Sequence, residues 1–469
     1  MIKNRQRTHL KAISSAVFFI MLSAAAQAGA EQNPATQSPS PADSGLILDQ
    51  PLTLDQALEL ALARNPDMHI ANERIARAEA QIGESLAAFY PQLKARLAYE
   101  YSDNPARAFG MIVSQRRFTQ QDFLNINNPG GTTDFRPEVV GTISLFRGGQ
   151  DYQRSKVAEL GKEISTLQRA VIKNNLMQAV TDSYYALLVA QENKIIADRS
   201  IDAVSRELHN TEIRFHGGTA LKSDVLSLKV RLARSREASI RADNAIEMAR
   251  TVLRTILDLS PASPVQTVAQ EDQELPGFPA TLEELFRRAE TARPEIQAAD
   301  RQVETRQRQV KIAQGEHLPR VDAFINYGIN SEDIAFSAKR DNLTAGVALE
   351  MDLFSGFGTQ QRIKKAERQL AEATEQAHKI RLQVNQEVKN AYLALQEALQ
   401  RYRVTEASVT SADEALRLVT EQHRAGTATV TRYIESEAAR DQANARTIAA
   451  RYDTFRAEAL LKRALGEWQ

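Results

Sequence analysis

Leu343-Thr344-Ala345-Gly346-Val347-Ala348-Leu349-Glu350-Met351-Asp352-Leu353-Phe354-Ser355-Gly356 decides the reading of this chain. Leu343, Ala345, Val347, Leu349, Met351 and Leu353 fall on one face, with Thr344, Gly346, Glu350 and Asp352 on the other. Period 2 over about ten residues is the pattern of a β-strand with one apolar and one polar side, and it is the length of a strand that crosses a bilayer. A half-buried sheet in a water-soluble domain alternates in the same way. An earlier stretch repeats the pattern: Val139, Gly141, Ile143 and Leu145 against Glu138, Thr142 and Ser144.

The two stretches belong to a duplication. Leu145-Phe146 and Leu353-Phe354, Tyr184 and Tyr392, Gly218-Thr219-Ala220 and Gly426-Thr427-Ala428, and Leu253 and Leu461 are all 208 residues apart. Upstream, Thr53-Leu54 and Thr281-Leu282, Pro66 and Pro294, Pro91 and Pro319, and Tyr99 and Tyr327 are 228 apart. Two constant offsets mean one unit written twice, with 20 more residues in the first copy between Tyr101 and Glu138. The expected division is a first repeat over 52–260, a proline-rich linker over 261–279 and a second repeat over 280–469.

Each repeat opens with helical spacing (Leu54, Ala57, Leu58, Ala61, Leu62 after the N-cap candidate Thr53). Pro91 and Pro319 then start alternating runs, Leu93 to Tyr101 and Val321 to Ile329. The segments between paired strands, including Asn125 to Gly131 and Asn330 to Asp333, are turn-rich and suit exposed loops. After Phe146-Arg147-Gly148-Gly149 and Phe354-Ser355-Gly356, helical spacing returns. Asp151 to Phe215 contains no proline, enough for roughly 100 Å of helix. From Leu221 through Val225, Leu228, Leu232, Ser235, Ser239, Ala242, Ile246, Ala249, Leu253 and Ile256, steps of four and three make a coiled-coil seam. Its small middle residues require a close partner helix. Helices over 360–424 and 429–465 are the expected counterparts.

Four strands per chain set a constraint. In lipid every backbone polar group needs a partner, so an open four-stranded sheet is forbidden there. If these strands meet lipid, several chains must close one barrel.

Bulk properties narrow the class. Lys3, Arg5, Arg7 and Lys11, the apolar run Ile13–Ala26 and Ala26-Gln27-Ala28 read as a signal peptide over 1–28. A Pro/Ser-rich flexible leader is expected over 29–51. There is no cysteine, hence no disulfide and no lipid-modified cysteine. Lys plus Arg and Asp plus Glu both number 59, so nothing recruits nucleic acid. The seven histidines show no HExxH spacing, and no phosphate loop or GxSxG elbow occurs. No enzyme, cofactor or metal site is expected.

The order of these parts, with the Tyr90-Pro91 and Leu318-Pro319 strand starts, the Leu-Phe-x-Gly corners and the turns Arg214 to Thr219 and His423 to Thr427, resembles the TolC family of outer-membrane efflux channels. The resemblance covers the chain from about Leu52 to its end. It implies a mostly α fold with a membrane β-barrel: a homotrimer whose four strands per chain make a 12-stranded barrel in outer-membrane lipid, continued by long helical hairpins as a periplasmic α-barrel. It implies a passive exit duct for efflux or secretion, docked by a periplasmic adaptor protein and driven by an inner-membrane transporter.

By the same resemblance the two interhelical turns form the periplasmic tip and dock the adaptor, through Arg214, Gly218 and Thr219 and through Arg424, Gly426 and Thr427. Taken alone, the two glycines read equally well as helix C-caps. Glu435 aligns with an acidic gate-ring position, and the second such position is Arg432. Asp224 fits a residue linking neighbouring helices, while His423 stands where an aromatic partner is expected. Arg432 and Glu435 therefore read as a mixed-charge gate or as a solvated i, i+3 pair worth a few tenths of a kcal/mol. A soluble periplasmic coiled-coil adaptor or scaffold would also account for the hairpins. It would not account for two alternating strand pairs at matching places in the repeat.

Overall fold

Thr53 caps the first helix with a reciprocal pair of bonds: its hydroxyl accepts from Gln56 N at 3.3 Å, and Gln56 Oε1 accepts from Thr53 N at 3.0 Å. The computed structural model describes residues 51–268, 274–277, 280–336 and 338–468. The expected signal peptide and nearly all of the leader lie outside them.

The first set of elements is α1 (Leu54–Arg64), α2 (Pro66–Leu86), β1 (Gln92–Ser102), α3 (Pro105–Ser114), α4 (Gln120–Leu124), β2 (Thr132–Arg147), α5 (Gln150–His216) and α6 (Lys222–Ile256). The second is α7 (Leu282–Ala292), α8 (Pro294–Gly315), β3 (Arg320–Ile329), β4 (Asp341–Glu350), α9 (Gly358–Arg424) and α10 (Val430–Leu465). Helices α2, α3 and α8 begin on a proline, where the missing N–H costs nothing. Helices α5 and α9 are both 67 residues long.

The strands form one antiparallel sheet in the order β1-β2-β3-β4, so β1 and β4 are its edges. The register sorts the faces. Leu93 stands opposite Gly141, Val139 opposite Tyr327, Ile325 opposite Ala345 and Val321 opposite Leu349. These share one face. Arg96 opposite Glu138, and Asn326 opposite Thr344, stand on the other. There Glu138 accepts from Asn326 at 3.3 Å and pairs with Arg96 at 3.5 Å. Leu97, Tyr99, Val347 and Leu349 are all more than half exposed. Among the described residues nothing covers these four side chains, although Phe135 at the far end of the same face packs on Phe336.

Two expectations need correcting. Strand β4 ends at Glu350, and Met351 to Phe354 leave the sheet toward the corner at Ser355–Gly358. Phe357 there takes a left-handed backbone, φ +64°, as N-cap of α9. The connections between strands are not simply exposed loops either. The first contains α3 and α4, and Asn330 and Ser331 of the second are buried beside it.

The long helices pair as hairpins, α5 with α6 and α9 with α10. Helix α2 lies along α5, and α8 along both α5 and α9. In the seam of α6 every residue from Val225 to Ile256 is buried or half-buried, whereas Leu221, at the N-cap, is exposed. Close approach is met by serines: Ser200 and Ser235 hydroxyls lie 3.0 Å apart across α5 and α6. A core of Tyr184, Leu187, Leu253, Leu257 and Phe455 joins α5, α6 and α10. Tyr184 Oη donates to Leu52 O (3.0 Å) and Val268 O (2.9 Å), tying the start of the first set to the segment that leaves α6.

Equivalent strand-to-helix corners differ in tolerance. Gly148 (φ +59°) and Gly356 (φ +62°) are both left-handed, but a Cβ on Gly148 would strike the Gly315 carbonyl, while Gly356 faces open space. Gly356→Ala should cost about 1–2 kcal/mol from backbone strain alone. Gly148→Ala should cost a further ~1–3 kcal/mol from the collision. Denaturant midpoints of the two detergent-solubilised variants check the difference.

Candidate functional site

The end of the hairpins farthest in sequence from the sheet is built from two matching turns. Helix α5 closes with Thr219 N donating to Arg214 O (2.8 Å) and Gly218 N to Phe215 O (3.0 Å). Helix α9 closes identically, Thr427 N to Gln422 O (2.9 Å) and Gly426 N to His423 O (3.1 Å). Such a closure needs one left-handed residue, supplied by Gly218 (φ +76°) and Gly426 (φ +80°). Nothing stands where a Cβ would be at either glycine, so the turns are open on that side. Thr219 and Thr427 reinforce them, each hydroxyl donating to the same carbonyl as its own N–H, at 3.1 and 3.0 Å.

Arg424, Gly426 and Thr427 are exposed, as are Gly218 and Thr219. Arg214 is turned inward: its guanidinium donates to Glu207 Oε1 at 2.7 Å. His423 meets the same carboxylate from the other hairpin, Nε2 3.1 Å from Glu207 Oε1, while its Nδ1 lies 3.0 Å from Ala428 O. The His423 ring stacks on Tyr433 with centroids 6.0 Å apart. Burial and the neighbouring charges of Glu437 and Glu207 push the Tyr433 phenol up to about 12. Around this cluster Val204, Leu228, Val419 and Val430 bring all four long helices into one apolar contact.

Of the residues expected at a gate, Asp224 is used locally: its carboxylate accepts from Leu221 N at 3.3 Å at the start of α6. Arg432 and Glu435 stand 3.8 Å apart with their side chains 66% and 62% exposed. Such an exposed pair contributes about 0.2–0.5 kcal/mol. Both side chains remain available to a neighbouring chain.

A second polar cluster, farther along the hairpins from the turns, crosses from one repeat to the other. Arg231 of α6 donates through Nε to Glu437 Oε2 (2.8 Å) and through Nη2 to Asp441 Oδ2 (3.0 Å), both on α10. Ser200 of α5 donates to the other Glu437 oxygen at 2.7 Å. Glu437 is 2% exposed. Two carboxylates share the Arg231 guanidinium, and Asp441 Oδ1 also lies 3.9 Å from Arg440 Nη1. Burial, and then the charge of Glu437, push the Asp441 carboxyl up to about 6. Sequence reading missed this cluster and the Glu207–His423 contact. The available signal was polar residues (Ser235, Ser239) on seam positions, which demand polar partners.

Among the described residues no group of His, Cys, Asp and Glu could hold a metal, and no helix is long and apolar enough to cross a membrane. The site is a mechanical one: two rigid turns, an exposed charged pair and buried ionic contacts between hairpins.

A family model described as Outer membrane efflux protein matches residues 57–258 and 285–467. Protein CyaE of Bordetella pertussis is 25% identical over 78% of this chain and 73% of that protein. Outer membrane protein TolC of Vibrio cholerae is 25% identical over 67% of this chain and 74% of its own. Among solved structures, a membrane protein from Pseudomonas aeruginosa superposes with a TM-score of 0.76 at 18% identity, over 88% of this chain and 93% of that one. That likeness is one of fold.

The Asp441 carboxyl makes stability depend on pH with a definite sign. Folded, it keeps its proton up to about pH 6; unfolded, it releases it near 3.8, the ordinary value for an aspartate. Between those values the folded state binds more protons, so stability falls as pH rises through the window and the whole cost is present at pH 7. Asp441→Asn should relieve a cost of at most about 3 kcal/mol at pH 7. It should also flatten the stability profile between about pH 4 and 6, measured by denaturant unfolding at a series of pH values.

Proposed function

The chain belongs to the outer membrane efflux protein family, and on that footing we propose that it is the exit duct of a tripartite export system. Three copies close one barrel, and a periplasmic adaptor and an inner-membrane pump engage the far end of the hairpins. The protein is an efflux channel of the outer membrane. The observation that carries the proposal is the sheet. Four strands with one apolar face and two open edges cannot lie in lipid alone, whereas three such sheets joined edge to edge make twelve strands with no edge left. The polar face then lines a wet lumen, and the hairpins carry that lumen on into the periplasm. A water-soluble adaptor or scaffold would have no use for the bare apolar face.

The channel is passive and the pump supplies the energy. Gly218, Thr219, Arg424, Gly426 and Thr427 offer the adaptor two open turns of the same geometry, which suits a partner that meets quasi-equivalent hairpins. Arg214, held by Glu207, contributes by fixing its turn rather than by reaching outward. Asp224, Arg432 and Glu435 follow these turns and make the narrow end of the duct. Arg432 and Glu435 carry opposite charge and little mutual energy within one chain, so threefold symmetry allows each to pair with the next copy.

In planar bilayers the purified protein should conduct weakly. Replacing Arg432 and Glu435 together by Ala should raise the conductance several-fold. Unchanged conductance in the double variant would remove these two residues from the constriction and leave the rest of the duct standing.

A further inference from the structure

We propose that α3 is a fixed plug at the outer mouth of the barrel, which excludes bulky solutes that approach from outside the cell. The proposal rests on the channel reading above, because it needs the polar face of the sheet to line the lumen. The extra residues of the first repeat fall in the β1–β2 connection, at the end of the sheet opposite the long helices. They do not project away from the sheet. Arg107 of α3 pairs with Glu100 of β1. Gln115, at the end of α3, donates to Asp134 Oδ1 (3.1 Å) and Thr133 O (2.7 Å) of β2. Asn342 of β4 donates to Ser114 O at 3.5 Å, and Arg116 donates to Lys339 O at 3.1 Å.

Glu100, Asp134 and Asn342 all stand on the polar face: Glu100 opposite Asp134 in the register, and Asn342 opposite Gly328, whose other partner is Glu138. Helix α3 therefore spans the sheet from β1 to β4 on its lumen side. With the apolar face toward lipid, each of three copies would carry such a helix inward over the mouth.

The attachment is rigid. Gln115 is 0% exposed, and Ala108 and Ile112 are buried against the sheet. Asp134 also accepts from Asn330 Nδ2 at 2.8 Å, and Asn330 Oδ1 accepts from Asn342 Nδ2 at 2.7 Å. A largely buried chain of three amides and one carboxylate, with every member bonded, holds one geometry. The second repeat has no comparable helix among the described residues between β3 and β4. One plug per chain gives a threefold constriction.

Thr142 is exposed on the polar face of β2, opposite Gln92 at the helical end of the sheet and well below α3. The chain has no cysteine of its own, so Thr142→Cys gives a single reporter. Intact cells would be treated from outside with a small membrane-impermeant thiol reagent and with a bulky polyethylene-glycol maleimide. The small reagent should label the reporter in every background. The bulky one should label it slowly in the otherwise natural chain and about tenfold faster when Arg107→Ala and Gln115→Ala loosen the helix, the change expected from losing one or two buried bonds. It should label it fastest when residues 104–130 are replaced by a short turn. If the deletion does not assemble, the point variants carry the test. Equal bulky-reagent rates in all backgrounds would overturn the plug. Failure of the small reagent everywhere would overturn the lumen assignment, and the plug with it.

Discussion

The requirement that no backbone N–H or C=O be left bare in hydrocarbon governs the rest of this structure. The chain offers a sheet whose apolar face is exposed and whose two edge strands are open. Each feature is unfavourable in isolation, and each is resolved by the same event, edge-to-edge closure with further copies. Closure fixes which face is wet, and that decides where Arg96, Glu138 and Asn326 point. It also decides which side of the sheet α3 occupies. The corners at Gly148 and Gly356 then convert each strand end into a helix long enough to continue the wall.

The helical region meets a different problem. Hairpins joined only by small residues and short apolar side chains could slide by a turn without losing much contact. The ionic clusters work against that. Glu207 receives Arg214 from its own helix and His423 from the other repeat, and Glu437 receives Arg231 and Ser200 across the same boundary. Buried ion pairs contribute little net stability, because desolvation offsets most of the attraction, but displacing one partner is expensive. Their contribution is register. Asp441 is buried beside Glu437 in that boundary, and the cost of ionising it there makes the contact softer toward neutral pH than under mild acid.

Much of this was legible in the residues. Alternation over Leu93–Tyr101 and Leu343–Leu349 located the strands, and the offset of 208 placed the turns at Gly218 and Gly426. The four-three spacing from Val225 to Ile256 named the buried face of α6 nearly residue by residue. What was not legible depended on distance in space. Helix α3 follows Asn104-Pro105 and carries its own helical spacing in Ala108, Met111, Ile112 and Gln115, but nothing in the segment shows that β2 and β4 are what cover that face. Asn330 and Ser331 read as loop residues because nothing nearby in sequence shows that Gln115 and Asp134 cover them. Glu207 and Glu437 look like solvated helix residues until the opposite hairpin is in place. Strand β4 stops short of Leu353 because the corner residues that follow, ending at Phe357, need a non-extended backbone.

The central claim is that three sheets close on one another through the β1 and β4 edges, and the absence of cysteine allows a direct test. A cysteine at Ala98 on β1 paired, in turn, with one at Thr344 or Ala348 on β4, all on the polar face, would be oxidised in membranes and the products sized on a denaturing gel. Within one chain these edges are separated by β2 and β3 and cannot bridge. Closure as described gives a ladder of one, two and three chains, with nothing larger. A ladder that continues past three, or no bridging at any of these positions, would contradict it.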